Sequence, residues 1–404
     1  MMATIYDIAI VGGGIVGLSV AYKLTQKYPD LKVAILEKES EIALHQTGHN
    51  SGVIHAGIYY QPGSYRARLC REGRAQLIEF AQHQNIKFEI CGKLIVAADE
   101  SERSALTKLY QRGIENGLQD LRLVSGDELK SIEPACTGSA GIWVSETGLI
   151  DYHEVSTKLL QQFLGREGRI LVTGAQLEKI TKQGSIVSLV TTRGVIRCKH
   201  FIACAGLQCD RVAALDGLRL GVRIVPFRGD YYRLNPSSSV QIRNMIYPVP
   251  NPEFPFLGVH FTRTIHNMTK CGPNAVLSFA REGYHKLALN LRDSASCLSF
   301  VGTWRLCAKH WKYGLMEYRR ALSKQLFVES AQRLVPSICA ADLIPAKPGI
   351  RANLVSVEGK VVDDFMFEQT EHAIHVLNTP SPAATACLSI ADVVVEKTTN
   401  AFTF

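Results

Sequence analysis

A chain of 404 residues is too long for one compact core and suits about two or three domains. With 46% hydrophobic and 20% charged residues it is neither disordered nor collagen-like, and no run of about eighteen uncharged apolar residues marks a transmembrane helix. The net charge of +8 suits an anionic substrate or an anionic membrane surface, whereas the absence of any basic block argues against nucleic acid as a partner.

The first strand begins within a few residues of Met1, so no signal or transit peptide is expected and a cytoplasmic protein of bacterial type is favoured. From Tyr6 the chain reads as a buried strand, a glycine turn, a helix and a second apolar strand ending at Glu37. Gly12, Gly14 and Gly17 occupy the G-x-G-x-x-G positions, with Ile15 and Val16 at the helix start. These glycines allow a tight turn, a close backbone approach to a pyrophosphate, and close packing of helix on strand. The helix N-terminus favours phosphate, and Glu37 stands where a carboxylate meets ribose hydroxyls, with Lys38 beside it. A polar loop follows at 45–60, including Thr47, Gly48, Asn50 and Ser51, short donors suited to wrapping a pyrophosphate and ribityl chain.

Helices are expected at 64–84 and 102–116, with a strand at 92–98 between them. A helix at 154–164 precedes strands at 176–181 and 185–191, and a third strand ends in Ala205-Gly206, a return to the nucleotide-binding sheet. From 223 to 261 prolines and aromatics alternate, among them Tyr231, Tyr232, Phe254 and Phe256, which fits an antiparallel sheet. Helices follow between 304 and 334. Strands at 354–357, 365–368 and 374–377 lead to a last helix at 383–396. The expected fold is therefore α/β. A discontinuous Rossmann-like part (1–75, 150–218 and 340–404) is interrupted by an α+β substrate part with a mostly antiparallel sheet (76–149 and 219–339). A nicotinamide enzyme usually closes its binding domain in one block. This interleaving points to the longer cofactor FAD.

The eleven cysteines are scattered with no C-x-x-C pair, so buried reduced thiols are expected rather than disulfides, zinc or iron–sulfur ligands. No strongly amphipathic anchor is visible.

The glycine motif, Glu37-Lys38 and Ala205-Gly206 together resemble the FAD-dependent oxidoreductases related to D-amino-acid oxidase and glycerol-3-phosphate dehydrogenase. Longer stretches are more specific: the 45–60 loop, Ile224-Val-Pro-Phe-Arg-Gly-Asp-Tyr-Tyr, Phe254-Pro-Phe-Leu-Gly-Val-His-Phe-Thr, Val362-Asp-Asp-Phe and Asn378-Thr-Pro-Ser-Pro-Ala-Ala-Thr-Ala. They resemble the L-2-hydroxyglutarate dehydrogenase (oxidase) family. The segment Pro348-Gly-Ile-Arg-Ala-Asn departs from the expected Ala-Gly-Val-Arg-Ala-Gln but keeps its arginine. The resemblance implies FAD and oxidation of a small dicarboxylate, L-2-hydroxyglutarate, to 2-oxoglutarate, with the mode of flavin attachment left open. Electrons would pass to a quinone pool or to oxygen. A quinone acceptor would make the protein peripheral on the cytoplasmic face of the inner membrane. The alternative on the same fold is an oxidase or dehydrogenase of glycerol 3-phosphate or an amino acid.

Such an oxidation needs a base for the hydroxyl proton and cations for the carboxylates. His55 and His260 are both candidates for the base, since histidine titrates near working pH, and the sequence does not choose between them. Arg351 is the first candidate for bidentate carboxylate binding and Arg228 the second; Tyr60 is a candidate hydrogen-bond donor. Ser381 is expected to cap the last helix and Pro382 to open it. Ala383, Ala384 and Thr385 would then form a first turn aimed at the flavin, where a helix N-terminus would stabilise negative charge.

Overall fold

A computed structural model describes residues 4–250 and 257–404; Phe254 and Phe256 lie outside the described residues. Two large sheets organise the chain. The first has eight strands, in the order Leu177–Gln183, Ile186–Thr191, Gly194–Ala203, β1 (Ile5–Val11), β2 (Val33–Leu36) and Arg169–Val172. The hairpin Met366–Gln369 and Ala373–Asn378 completes it, joined through the second of its strands to residues 201–203. Its centre is parallel, and all four residues of β2 are buried, as expected for a strand covered on both faces. Helix α1 (Ile15–Lys27) packs with the helices Tyr152–Leu164 and Cys387–Ala401. Leu18 and Leu24 of α1 are fully buried there, each contributing roughly 1.5–3 kcal/mol.

The second sheet has nine strands and is mostly antiparallel, as expected. Its longest pairing joins Val222–Leu234 to Leu343–Ser356. The latter strand was expected within the nucleotide-binding part. It instead runs along the second sheet, paired with Val222–Leu234 from Leu234 opposite Leu343 to Val222 opposite Ser356. Arg351 therefore sits within a strand, opposite Phe227. The second sheet meets the first where 45–60, 378–384 and 349–353 converge.

The last helix also begins later than expected. Residues 381–386 form turns, and the helix runs Cys387–Ala401 with Ala386 at its cap. The reason is Thr385: its hydroxyl reaches the Val53 carbonyl (3.2 Å) and Tyr152 Oη (2.8 Å) and accepts the His55 N–H (3.0 Å). These bonds hold the segment against the strand Val53–Ile54 and His55 after it, so it cannot coil until it has passed them. Ser381 caps no helix. Its carbonyl accepts from the Arg66 guanidinium.

Candidate active site and cofactor cavity

One continuous cavity of about 1660 Å³ runs from the glycine turn to the second sheet, more than the 300–1,000 Å³ usual for a drug-sized ligand. At one end stand Gly12, Gly14, Ile15 and Val16, with Glu37 and Lys38 at the tip of β2. Gly12 has φ +115°, and a Cβ there would lie 2.3 Å from the Cys204 carbonyl oxygen. A Cβ on Gly17 would lie 2.1 Å from the Gly12 carbonyl oxygen, so Gly17 serves packing and does not line the cavity. Gly14 differs: a Cβ there would meet only Thr47 Oγ1, at 3.4 Å, and would otherwise project into the cavity. Gly206 likewise meets only Gln46, and Ala205 lies beside it on the wall.

Side chains brace this turn. Glu37 accepts the N–H groups of Gly13 (2.7 Å) and Glu39 (2.9 Å), and Thr47 Oγ1 accepts that of Ile15 (3.0 Å) at the start of α1. Asn50 holds its own loop through the carbonyls of Gln46 and Thr47 and the N–H of Gly52, while Ser51 lines the cavity. Gly48 does not line it; its Cβ position is blocked by the Ala43 carbonyl at 2.6 Å. The Lys38 ammonium is ringed by Glu39, Glu282 (2.9 Å) and His45 (2.9 Å), so these acids hold that cation.

Ser381, Pro382, Ala383 and Ala384 line the middle of the cavity, whereas Thr385 is buried behind them. Arg66, unnoticed in the sequence, fixes this turn. It binds the Ser381 carbonyl and Asp363, and its guanidinium lies 4.5 Å from the Tyr60 ring centroid. Asp364 accepts the N–H groups of Tyr65 and Arg66 (both 2.9 Å), so the Val362-Asp-Asp-Phe stretch ties helix Tyr65–His83 to the turn. Tyr60 lines the cavity and burial raises its phenol's pKa, leaving it a neutral donor.

At the far end His55, His260, Tyr59, Tyr231, Tyr247 and Arg351 share the wall. Burial, then the nearby charges of Lys93, His260 and Arg66, push His55 down to about 3. Burial pushes His260 down to about 3 as well, against a hydrogen bond from Nδ1 to the Gly258 carbonyl (2.8 Å) and with help from Arg351 and Lys93. Both rings are neutral. The Gly258 bond fixes the His260 proton on Nδ1 and leaves Nε2 as the basic nitrogen. Tyr59 Oη and Asn353 Nδ2 are buried on this wall with no protein partner among the described residues. Both can donate to an anionic ligand.

Arg228 does not belong to this constellation. It lies off the cavity wall, pairs with Asp230 (Nε–Oδ1 2.8 Å) and gives Nη1 to the carbonyls of His285 and Lys286. Its fork is filled from within, and its role is structural.

Lys93 was missed. It sits in the buried strand Lys93–Ala97 with 1% exposure, its ammonium 4.5 Å from the Tyr59 ring centroid and 4.9 Å from that of Tyr247. No carboxylate pairs with it among the described residues, and burial lowers it to about 7. Its charge is felt at both His55 and His260.

The glycine turn, Glu37, the open Cβ positions of Gly14 and Gly206 and the 381–384 turn fit a dinucleotide laid along one wall. The histidines and arginine stand beyond it. The family model for FAD-dependent oxidoreductases (DAO) matches residues 7–397. The L-2-hydroxyglutarate dehydrogenase of Indibacter alkaliphilus is 44% identical over 392 residues, covering 97% of this chain and 98% of that one. The mitochondrial L-2-hydroxyglutarate dehydrogenase of Homo sapiens is 40% identical over 413 residues, covering 98% and 89%. Among solved structures, the FAD-bound L-α-glycerophosphate oxidase of Mycoplasma pneumoniae aligns with a TM-score of 0.80 at 23% identity, over 98% of this chain and 94% of that one, a likeness of fold.

Proposed function

Since the chain belongs to the FAD-dependent oxidoreductase family, and within it to that of the L-2-hydroxyglutarate dehydrogenases, we propose that it oxidises L-2-hydroxyglutarate to 2-oxoglutarate. The observation that carries this reading is the far end of the cavity. Two neutral histidines and an arginine share one wall, continuous with the dinucleotide turn. FAD supplies the hydride acceptor. The Arg351 fork takes one carboxylate by paired, charge-assisted hydrogen bonds, and Tyr59 and Asn353 add donors. His260 Nε2 takes the hydroxyl proton, its ring held by the Gly258 carbonyl; His55 is the neutral neighbour across the site. The buried Lys93 ammonium favours binding of the dianion.

The glycine turn and the loop residues Thr47 and Ser51 would hold the pyrophosphate and ribityl region, and residues 381–384 would stand nearest the ring system. The electrons would leave to a quinone or to oxygen, and reoxidation by a soluble quinone against dioxygen separates the two. Among the described residues no helix is long and apolar enough to cross a membrane.

The test is anaerobic mixing of the holoprotein with L-2-hydroxyglutarate, followed by flavin absorbance. Bleaching by that acid is expected. Bleaching by glycerol 3-phosphate or an amino acid, with none by L-2-hydroxyglutarate, would overturn the assignment.

A further inference from the structure

A dicarboxylate carries two anions, and Arg351 accounts for one of them. The second calls for its own cation, and most cations on the cavity wall are already engaged. Lys38 is held by Glu39 and Glu282, Arg66 by Asp363 and the Ser381 carbonyl, and Arg211 by Asp293 (2.7 Å) and Gln208 (3.0 Å). Arg292, Lys309 and Lys360 also reach the wall, but they are exposed, where an ion pair is worth little. Lys93 lies beside the Tyr59 ring but does not line the cavity, so it adds charge without a hydrogen bond to the ligand.

Arg112 differs from all of these. It stands near the end of the helix Arg103–Glu115, half-buried, and lines the cavity. Its Nη1 gives one hydrogen bond, to the Tyr59 carbonyl (3.2 Å). Among the described residues no carboxylate pairs with it, and the rest of its fork has no protein partner. The helix end that carries it is well fixed. Asn116 gives Nδ2 to the carbonyls of Gly57 (3.1 Å) and Tyr60 (2.9 Å), so three carbonyls of the 57–60 segment are bound from this side. That segment also brings Tyr59 and Tyr60 to the wall shared with His55 and His260. The Arg112 side chain lines a second, outer cleft of about 390 Å³ as well, with Gln61, Thr107 and Glu115. It therefore faces both the cavity and the outside.

We propose that Arg112 binds the distal carboxylate of the substrate and sets the preference for diacids over monoacids. A planar fork suits a carboxylate better than a point charge does. With Arg351 on the carboxylate next to the reacting carbon and Arg112 on the one at the far end, the chain is held at both ends. The hydroxyl on C2 then has one orientation toward His260. This assignment rests on the proposed reaction and names the part of the wall that would make it selective.

The test is titration of the oxidised holoprotein with 2-oxoglutarate and with 2-oxopentanoate, which carries a methyl group in place of the distal carboxylate, followed by flavin absorbance. Wild type is expected to bind the diacid more tightly. Arg112→Gln should shrink that preference at least about tenfold, the loss of one charged hydrogen bond. In turnover it should raise KM for L-2-hydroxyglutarate with kcat near wild type, as for lost uniform binding. Arg351→Ala should weaken both ligands instead. If Arg112→Gln does not fold, Arg112→Lys keeps the charge and a donor for the Tyr59 carbonyl but gives up the fork, and the preference should fall at least about threefold. A wild type without the preference, or a folded variant that keeps it, overturns the proposal. So does an equal loss for both acids, which would make Arg112 a guide for anions at the entrance. If the preference behaves as expected while L-2-hydroxyglutarate fails to bleach the flavin, the substrate assignment falls and the diacid site stands.

Discussion

Replacing Lys93 by methionine should make the protein more stable at neutral pH. The ammonium is buried against two aromatic faces with no carboxylate among the described residues, and burial lowers its pKa from 10.5 to about 7. The unfolded chain therefore binds a proton that the native chain releases between those values, and native stability rises as pH climbs from about 7 to 10.5. At roughly 1.4 kcal/mol per pH unit, the full interval corresponds to a penalty of order 5 kcal/mol at and below neutrality. Two desolvated cation–π contacts oppose it, worth about 2 kcal/mol. Desolvation is the larger effect, and Lys93→Met is expected to gain about 3 kcal/mol at pH 7. The gain should shrink by about 3 kcal/mol by pH 9.5, as free lysine itself approaches neutrality. Urea unfolding of wild type and variant apoprotein, followed by tryptophan fluorescence at both pH values, measures this. A loss of stability at pH 7, or a difference independent of pH, would refute the picture of a desolvated, unpaired ammonium. Catalysis should suffer in the same variant, with a raised KM for the dianion.

The two arginines should separate cleanly. Arg351→Ala is expected to raise KM at least tenfold, through loss of a charged hydrogen bond worth about 1.5–3 kcal/mol; an unchanged KM removes it from the site. Arg228→Met should do the reverse, costing about 3–5 kcal/mol because Asp230 is left buried without its partner, and leaving KM near wild type in the folded fraction. Gly14→Ala should fold but bind FAD weakly by flavin-release titration, since its Cβ meets only Thr47 at 3.4 Å, whereas Gly12→Ala should be poorly soluble because its Cβ would strike the Cys204 carbonyl. Thr385→Val should lower the thermal midpoint, with about 1–3 kcal/mol lost as the buried Tyr152 hydroxyl and His55 N–H lose a partner; an unchanged midpoint would show that the turn is held by other contacts.

The parts of the fold that sequence made legible were those with strong local rules. The β1–α1–β2 unit carries a turn only glycine can make, and its apolar runs have one reading. The helix 65–83 announced itself by the helical spacing of Leu69, Leu77 and Phe80, all buried in it. What was missed depends on contacts distant in sequence. Thr385 delays a helix by bonding to residue 53, and Lys93 is concealed inside an ordinary apolar strand. Arg228 could have been sorted from the sequence. In a strand, residues two apart share a face, and Asp230 stands at that spacing.

The interleaving of the first sheet has a consequence for the order of events in synthesis. Residues 201–203 lie between β1 and residues 373–375, so the cofactor wall joins the beginning, the middle and the end of the chain. The final helix then closes over α1 and the helix 65–83. A nascent chain emerging from the ribosome has its glycine turn early, yet lacks the 378–384 segment that completes the cavity until all but its last two dozen or so residues have been made. A chain cut short before residue 373 would expose the flank of its central parallel strands as a template for aggregation.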